Sequence, residues 1–143
     1  MTIARFIAGR SGEVWRCHAD DCVADAVAVL ASRRIGALPV EDAGTAVAGI
    51  FSERDVLYCL QAHGADALRM KVRDVMTAPV ITVSPGDSVL HALGLMTRRR
   101  IRHLPVVEDG RMIAFVSIGD LVKQRLDAIE AEAEAMRSYI QSA

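Results

Sequence analysis

The 143-residue chain repeats itself. At a shift of 66 positions, Asp21, Val23 and Ala26 fall on Asp87, Val89 and Ala92, and Arg33-Arg34-Ile35 falls on Arg99-Arg100-Ile101. Leu38-Pro39-Val40 falls on Leu104-Pro105-Val106 at the same shift. Past the next turn the shift drops to 65, because the first copy's loop is one residue longer, and Ser52 and Asp55 fall on Ser117 and Asp120. The matches keep their order through both halves, so the chain reads as a tandem duplication. A unit of about 60 residues buries its faces poorly alone, which requires the two copies to share a core.

Each copy carries the same pattern. A short extended piece (Val14–Cys17; Val80–Val83) precedes an amphipathic helix whose apolar residues, Val23, Ala26, Val27 and Leu30 or Val89, Ala92, Leu93 and Met96, follow i, i+3, i+4, i+7 spacing. Asp21 and Asp87, or Ser88, are the candidate N-caps. A strand carrying Leu-Pro-Val follows, and its proline predicts an edge or a strand start. A turn (Glu41–Gly44; Glu108–Gly110), a second apolar strand and a helix opening just past Ser52 or Ser117 complete a β-α-β-β-α unit. Gln61–Lys71 reads as the linker. The predicted organisation is α/β: a first repeat with its N-terminal lead-in over 1–68, a second over 69–127, and a long C-terminal helix over 118–141. Along that helix Leu121, Val122, Leu126, Ile129, Ala133, Met136 and Ile140 form an apolar stripe that outlasts the repeat. The stripe points to a partner surface, most simply a second copy of this chain, or else to a helix that folds back on its own module.

Charge narrows the chemistry. The formal net charge of −1 excludes polyanion binding driven by overall charge. It hides a local imbalance: residues 1–68 hold 6 basic and 9 acidic groups, 69–117 hold 8 and 4, and 118–143 hold 3 and 5. The basic share centres on Arg98-Arg99-Arg100-Ile101-Arg102-His103. A solvated face is the plain reading of this run; a compact phosphate site or a nucleic-acid patch is the sharper one. The two Ser-x-x-Asp segments, Ser52–Asp55 and Ser117–Asp120, fit capping boxes at helix starts. A helix N-terminus also suits a phosphate, and a nearby carboxylate can accept from a ribose diol, so the motif alone leaves both roles open. Cys17, Cys22 and Cys59 fit a reducing compartment, and Cys17-His18 with Cys22 lacks the second ligand pair of a metal site. No apolar run has the length of a membrane span, so the chain reads as soluble and cytoplasmic. Nucleophile-elbow, P-loop and zinc-protease patterns are missing, and no catalytic residue, metal or catalytic cofactor is expected.

With the repeat, both Ser-x-x-Asp segments, Val75-Met76-Thr77 leading to Val83, and Ile101-Arg102-His103-Leu104-Pro105-Val106 in view, the chain resembles a tandem CBS-domain pair, or Bateman module, over residues 8–127. The resemblance implies two repeats packed with pseudo-twofold symmetry and an adenine nucleotide (AMP, ADP, ATP or NAD(H)) bound in clefts between them. By position, Asp55 and Asp120 would hold ribose hydroxyls, and Ser52 and Ser117 would approach the phosphate. Thr77 and Val80, or Ser11 and Val14, would lie near one adenine. Gly36, Ala37 and Pro39 would line one site, and Arg102, His103 and Pro105 the other, with Arg54 a further phosphate contact. Gly36-Ala37 against Arg102-His103 makes the clefts inequivalent, which leaves open whether both bind.

The function expected is therefore a stand-alone nucleotide sensor of energy or redox state, working as a homodimer on an unidentified protein target. The alternatives are a ligand-free interaction module acting through the C-terminal helix, and a nucleic-acid binder acting through Arg98–Arg102.

Overall fold

The structure is a computed structural model and describes residues 1–10 and 12–143. Its order is α1 (Ile3–Ala8), β1 (Cys17–His18), α2 (Val23–Arg33), β2 (Ala37–Asp42), β3 (Thr45–Ser52), α3 (Glu53–His63), a 3-10 helix (Gly64–Arg69), α4 (Val72–Val75), α5 (Val89–Arg99), β4 (His103–Glu108), β5 (Arg111–Ser117) and α6 (Ile118–Ser142). This is the mixed α/β repeat expected. The duplication extends to burial: Val23, Ala26, Leu30, Leu38, Val40 and Phe51 are buried, and so are Val89, Ala92, Met96, Leu104, Val106 and Val116 at the matching positions.

The chain divides into two compact units that do not follow chain order. One comprises Gly12–Thr82 with Pro105–Phe115; the other comprises Met1–Ser11, Val83–Leu104 and Val116–Ala143. In the first unit, β1, β2 and β3 form a sheet in that order, β1 parallel and β3 antiparallel to β2. Phe51 of β3 and Leu38 and Val40 of β2 pack with Val23, Ala26 and Leu30 of α2, Cys59 of α3 and Val72 of α4 in one core. β4 and β5 pair as a separate two-stranded sheet.

The sequence reading needs three corrections. Pro39 lies on the middle strand, not an edge. It is tolerated because β1 is two residues long and pairs only with Val40 and Glu41. Pro39 faces Ile50 across the other side, and Ile50 sends its N–H and C=O outward to Thr77, so this pair needs no ladder bond from the proline. Second, the N-cap of α2 is Cys22 and not Asp21, whereas α5 is capped by Ser88, one of the two expected candidates, whose hydroxyl accepts from His91 N–H at 3.0 Å. Asp21 and Asp87 brace the preceding turns instead, accepting from His18 and Ser84 N–H, each at 2.8 Å. Third, the expected linker Gln61–Lys71 is built largely of helix: it completes α3, turns at Gly64 (φ +61°) and coils through the 3-10 helix.

Each unit docks a lead segment in the same way. In the first, Val72 N–H donates to Asp21 O (2.8 Å), Arg73 N–H to Ala19 O (2.9 Å) and Val23 N–H to Met70 O (2.8 Å). In the second, Ile3 N–H donates to Asp87 O, Ala4 N–H to Pro85 O, both at 2.8 Å, and Val89 N–H to Met1 O at 3.0 Å. The N-terminal lead-in, grouped with the first copy by chain order, is thus bonded to the start of the second copy. The two matching helices α2 and α5 also end alike, on Arg34 and Arg100 in left-handed conformation (φ 53° and 54°).

Candidate functional site

The first unit gathers its candidate residues at the start of α3. Ser52 ends β3 and caps α3 in a reciprocal capping box: its hydroxyl accepts from Asp55 N–H, and Asp55 Oδ2 accepts from Ser52 N–H at 2.9 Å. Ser52 Oγ lies 3.1 Å from the same oxygen. The other oxygen, Oδ1, accepts from Thr77 Oγ1 at 2.9 Å. Asp55 is 8% exposed, and among the described residues its carboxylate is met by neutral donors alone.

Backbone geometry brings Thr77 there. Ile50 and Thr77 exchange both hydrogen bonds, at 3.0 and 2.9 Å, so Thr77 adds a one-residue strand beside β3. That approach needs Gly49. A Cβ on Gly49 would meet Met76 Sδ at 2.5 Å and the Thr77 carbonyl oxygen at 3.0 Å. Gly36 O accepts from Glu53 N–H at 3.0 Å, Ala37 pairs with Ser52 and Pro39 with Ile50, which sets Gly36, Ala37 and Pro39 against the same strand end. Arg54 is exposed on the first turn of α3, while Val14 and Val80 are half-buried apolar residues of the same unit.

The second unit builds the counterpart at the start of α6. Ser117 forms the same capping box with Asp120, accepting from Asp120 N–H at 3.1 Å, while Asp120 Oδ2 accepts from Ser117 N–H at 3.3 Å. Arg102 O accepts from Ile118 N–H at 2.8 Å, as Gly36 does from Glu53. The difference lies in the carboxylate's other partner. Where Asp55 has Thr77, Asp120 Oδ2 has Arg10 Nη1 at 3.1 Å. Burial pushes the Asp120 carboxyl upward, but the hydrogen bonds from Ser117 and Arg10 outweigh it and hold the group below the usual range. Arg102 is exposed and His103 half-buried in this unit, whereas the buried Pro105 belongs to the first.

Arg10 escaped the sequence reading. It sits 110 positions from Asp120 and outside both copies of the repeat, so no spacing rule connects them. Ser11 lies outside the described residues. The cysteines are otherwise engaged: Cys22 Sγ donates to Leu68 O at 3.1 Å, and burial, with Asp21 and Glu41 nearby, pushes the Cys17 thiol up to about 12. No helix among the described residues is long and apolar enough to cross a membrane.

Comparison with known proteins adds three findings. The family model described as "CBS domain" matches residues 13–62 and 72–127. The chain is 43% identical over 129 residues to the mitochondrial CBS domain-containing protein CBSX3 of Arabidopsis thaliana, covering 87% of this chain and 63% of that protein. Among solved structures, the CBS-domain containing protein ATU1752 from Agrobacterium tumefaciens superposes with a TM-score of 0.82 at 33% identity, over 87% of this chain and 99% of that one. CBSX2, solved in complex with AMP, superposes with a TM-score of 0.74 at 26% identity, over 89% and 97% of the two chains. The chain spans less than two thirds of the curated relatives it matches, 63% of CBSX3 and 22% of an inosine-5'-monophosphate dehydrogenase of Mycobacterium leprae.

Proposed function

The chain belongs to the CBS-domain family, and from that premise we propose that it is a regulatory module that binds an adenine nucleotide and reports it by a conformational shift. The observation that carries the reading is the repeated capping box, Ser52–Asp55 and Ser117–Asp120, with a carboxylate at each helix start. The AMP complex of CBSX2 supports the ligand class.

At the first position, Asp55 Oδ1 already accepts from an alcohol, Thr77 Oγ1. A ribose hydroxyl taking that place exchanges one neutral donor for another, at little electrostatic cost. In this reading Asp55 and Asp120 hold the ribose diols, and Ser52 and Ser117 lie toward the phosphate. Thr77, Val80 and Val14 flank an adenine; Gly36, Ala37 and Pro39 line the first site and Arg102, His103 and Pro105 the second. A ligand with Kd of about 1 μM contributes roughly 8 kcal/mol of binding, but only its difference between two conformations drives a switch.

The test is calorimetric titration of the full chain with AMP, ADP, ATP and NADH, repeated in Asp55→Ala and Asp120→Ala. Loss of a binding step in either variant supports the reading. Full affinity in both removes the ribose role, and no binding of any of the four nucleotides removes the function. A second reading, a partner surface on α6, rests on the exposed Leu126, Ile129, Met136, Tyr139 and Ile140.

A further inference from the structure

Asp55 and Asp120 occupy matching places and differ in what holds them. Asp55 is served by neutral groups; Asp120, with its side chain 36% exposed, is paired to a cation. The lead segments explain the difference. Val72 and Arg73 dock on the first copy as Ile3 and Ala4 dock on the second, so the counterpart of Thr77 is Ala8, which has no hydroxyl. Arg10, two residues further on, reaches the carboxylate instead. Its guanidinium is held from a second side, 5.1 Å from the centroid of the Phe6 ring.

A diol that takes both oxygens of Asp120 therefore competes with a charge at Oδ2. An uncharged nucleoside would take the carboxylate and strand Arg10, forfeiting a charge-assisted bond. A nucleotide offers both halves of the exchange. The pair is exposed, at 45% and 36%, so it is displaced at small cost once both ions find new partners. The unit as a whole carries further positive charge: Arg98, Arg99, Arg100 and Arg102 are exposed in it and enter no ion pair among the described residues.

We infer that the Arg10–Asp120 pair makes this position selective for ribose ligands that carry a phosphate, the diol taking the carboxylate and the phosphate taking the guanidinium it releases. The inference rests on the nucleotide-binding reading above and assigns a discriminating residue to one of its two positions.

The experiment titrates the full chain with AMP and with adenosine, in wild type, Asp120→Asn, Arg10→Gln and Arg10→Lys. Asp120→Asn identifies the binding step that belongs to this position. At that step wild type prefers AMP, and Arg10→Gln narrows the AMP-to-adenosine affinity ratio by about tenfold. Arg10→Lys, which keeps the charge, retains most of the ratio and guards against a variant that fails to fold. An unchanged ratio in Arg10→Gln, including equal weakening of both ligands, overturns the inference. So does an Asp120→Asn protein that keeps every AMP step, while leaving nucleotide binding through Asp55 intact. If wild type binds neither AMP nor adenosine, the nucleotide reading falls and the inference with it.

Discussion

The Thr77 hydroxyl donates to Asp55 Oδ1 at 2.9 Å, tying the segment that follows the first repeat to the helix start that closes it. The bond spans 22 residues and ends on a carboxylate that is 8% exposed.

Removing that donor leaves a buried oxygen short of a partner. Thr77→Val keeps the shape and loses the hydrogen bond, so it lowers unfolding stability by about 1–3 kcal/mol, whereas Thr77→Ser stays near wild type. Urea denaturation of both variants checks this; equal midpoints for Val and Ser would mean that the bond contributes nothing.

Gly49 makes room for the strand that carries Thr77. Met76 Sδ can swing away from an added Cβ, but the Thr77 carbonyl is backbone and cannot without loosening its bonds to Ile50. Gly49→Ala is expected to cost about 1–3 kcal/mol. Adding Met76→Ala recovers only part of it. Thermal melting of the single and double variants decides, and full recovery would assign the whole clash to the methionine.

Arg73 bridges two carboxylates, Nη2 to Asp20 Oδ1 at 2.8 Å and Nη1 to Asp42 Oδ2 at 3.1 Å. Its hydrogen bonds hold both acids below the usual range. Depressed acids stabilise the fold above their unfolded values, and that contribution is lost as pH falls through their folded ones. Arg73→Ala therefore loses stability near neutrality and converges with wild type in acid. Urea midpoints from pH 7 to pH 2 follow this, and parallel curves throughout would dismiss the linkage. Arg73 and Asp20 are exposed and Asp42 only half-buried, so the difference is small.

The exposed face of α6 predicts self-association. Truncation after Arg125 removes Leu126, Ile129, Met136, Tyr139 and Ile140 from the chain and is expected to turn a dimer into a monomer by sedimentation. An unchanged number of chains per particle after truncation would take the stripe out of the assembly.

The parts legible in the sequence were those encoded by periodicity. Val23, Ala26 and Leu30 marked the buried face of α2, and Ser-x-x-Asp marked the helix starts, because caps and faces are local in sequence. Pro39 misled because its tolerance depends on where β1 stops and where Ile50 sends its hydrogen bonds, neither of which the proline reveals. Asp21 looked like a cap but spends its carboxylate one turn earlier, on His18. Thr77 was singled out from a resemblance, but its bond to Asp55 depends on Gly49 admitting the connecting strand. Arg10 was invisible because its partner is set by which copy the N-terminal segment docks on, a choice with no local signature.

That docking also orders events in time. Ile3 and Ala4 are made before the groups that hold them: the carbonyls that receive their N–H groups belong to Asp87 and Pro85, some eighty residues behind. The segment from Val14 to Thr77 carries hydrogen-bonding partners within itself, such as Val72 to Asp21 and Thr77 to Ile50, while the leading residues wait. Arg10 waits longer still, since Asp120 is made last of all the groups described at either site. The charge that distinguishes the two carboxylates is thus, of the pairings at the two helix starts, the last that a nascent chain can complete.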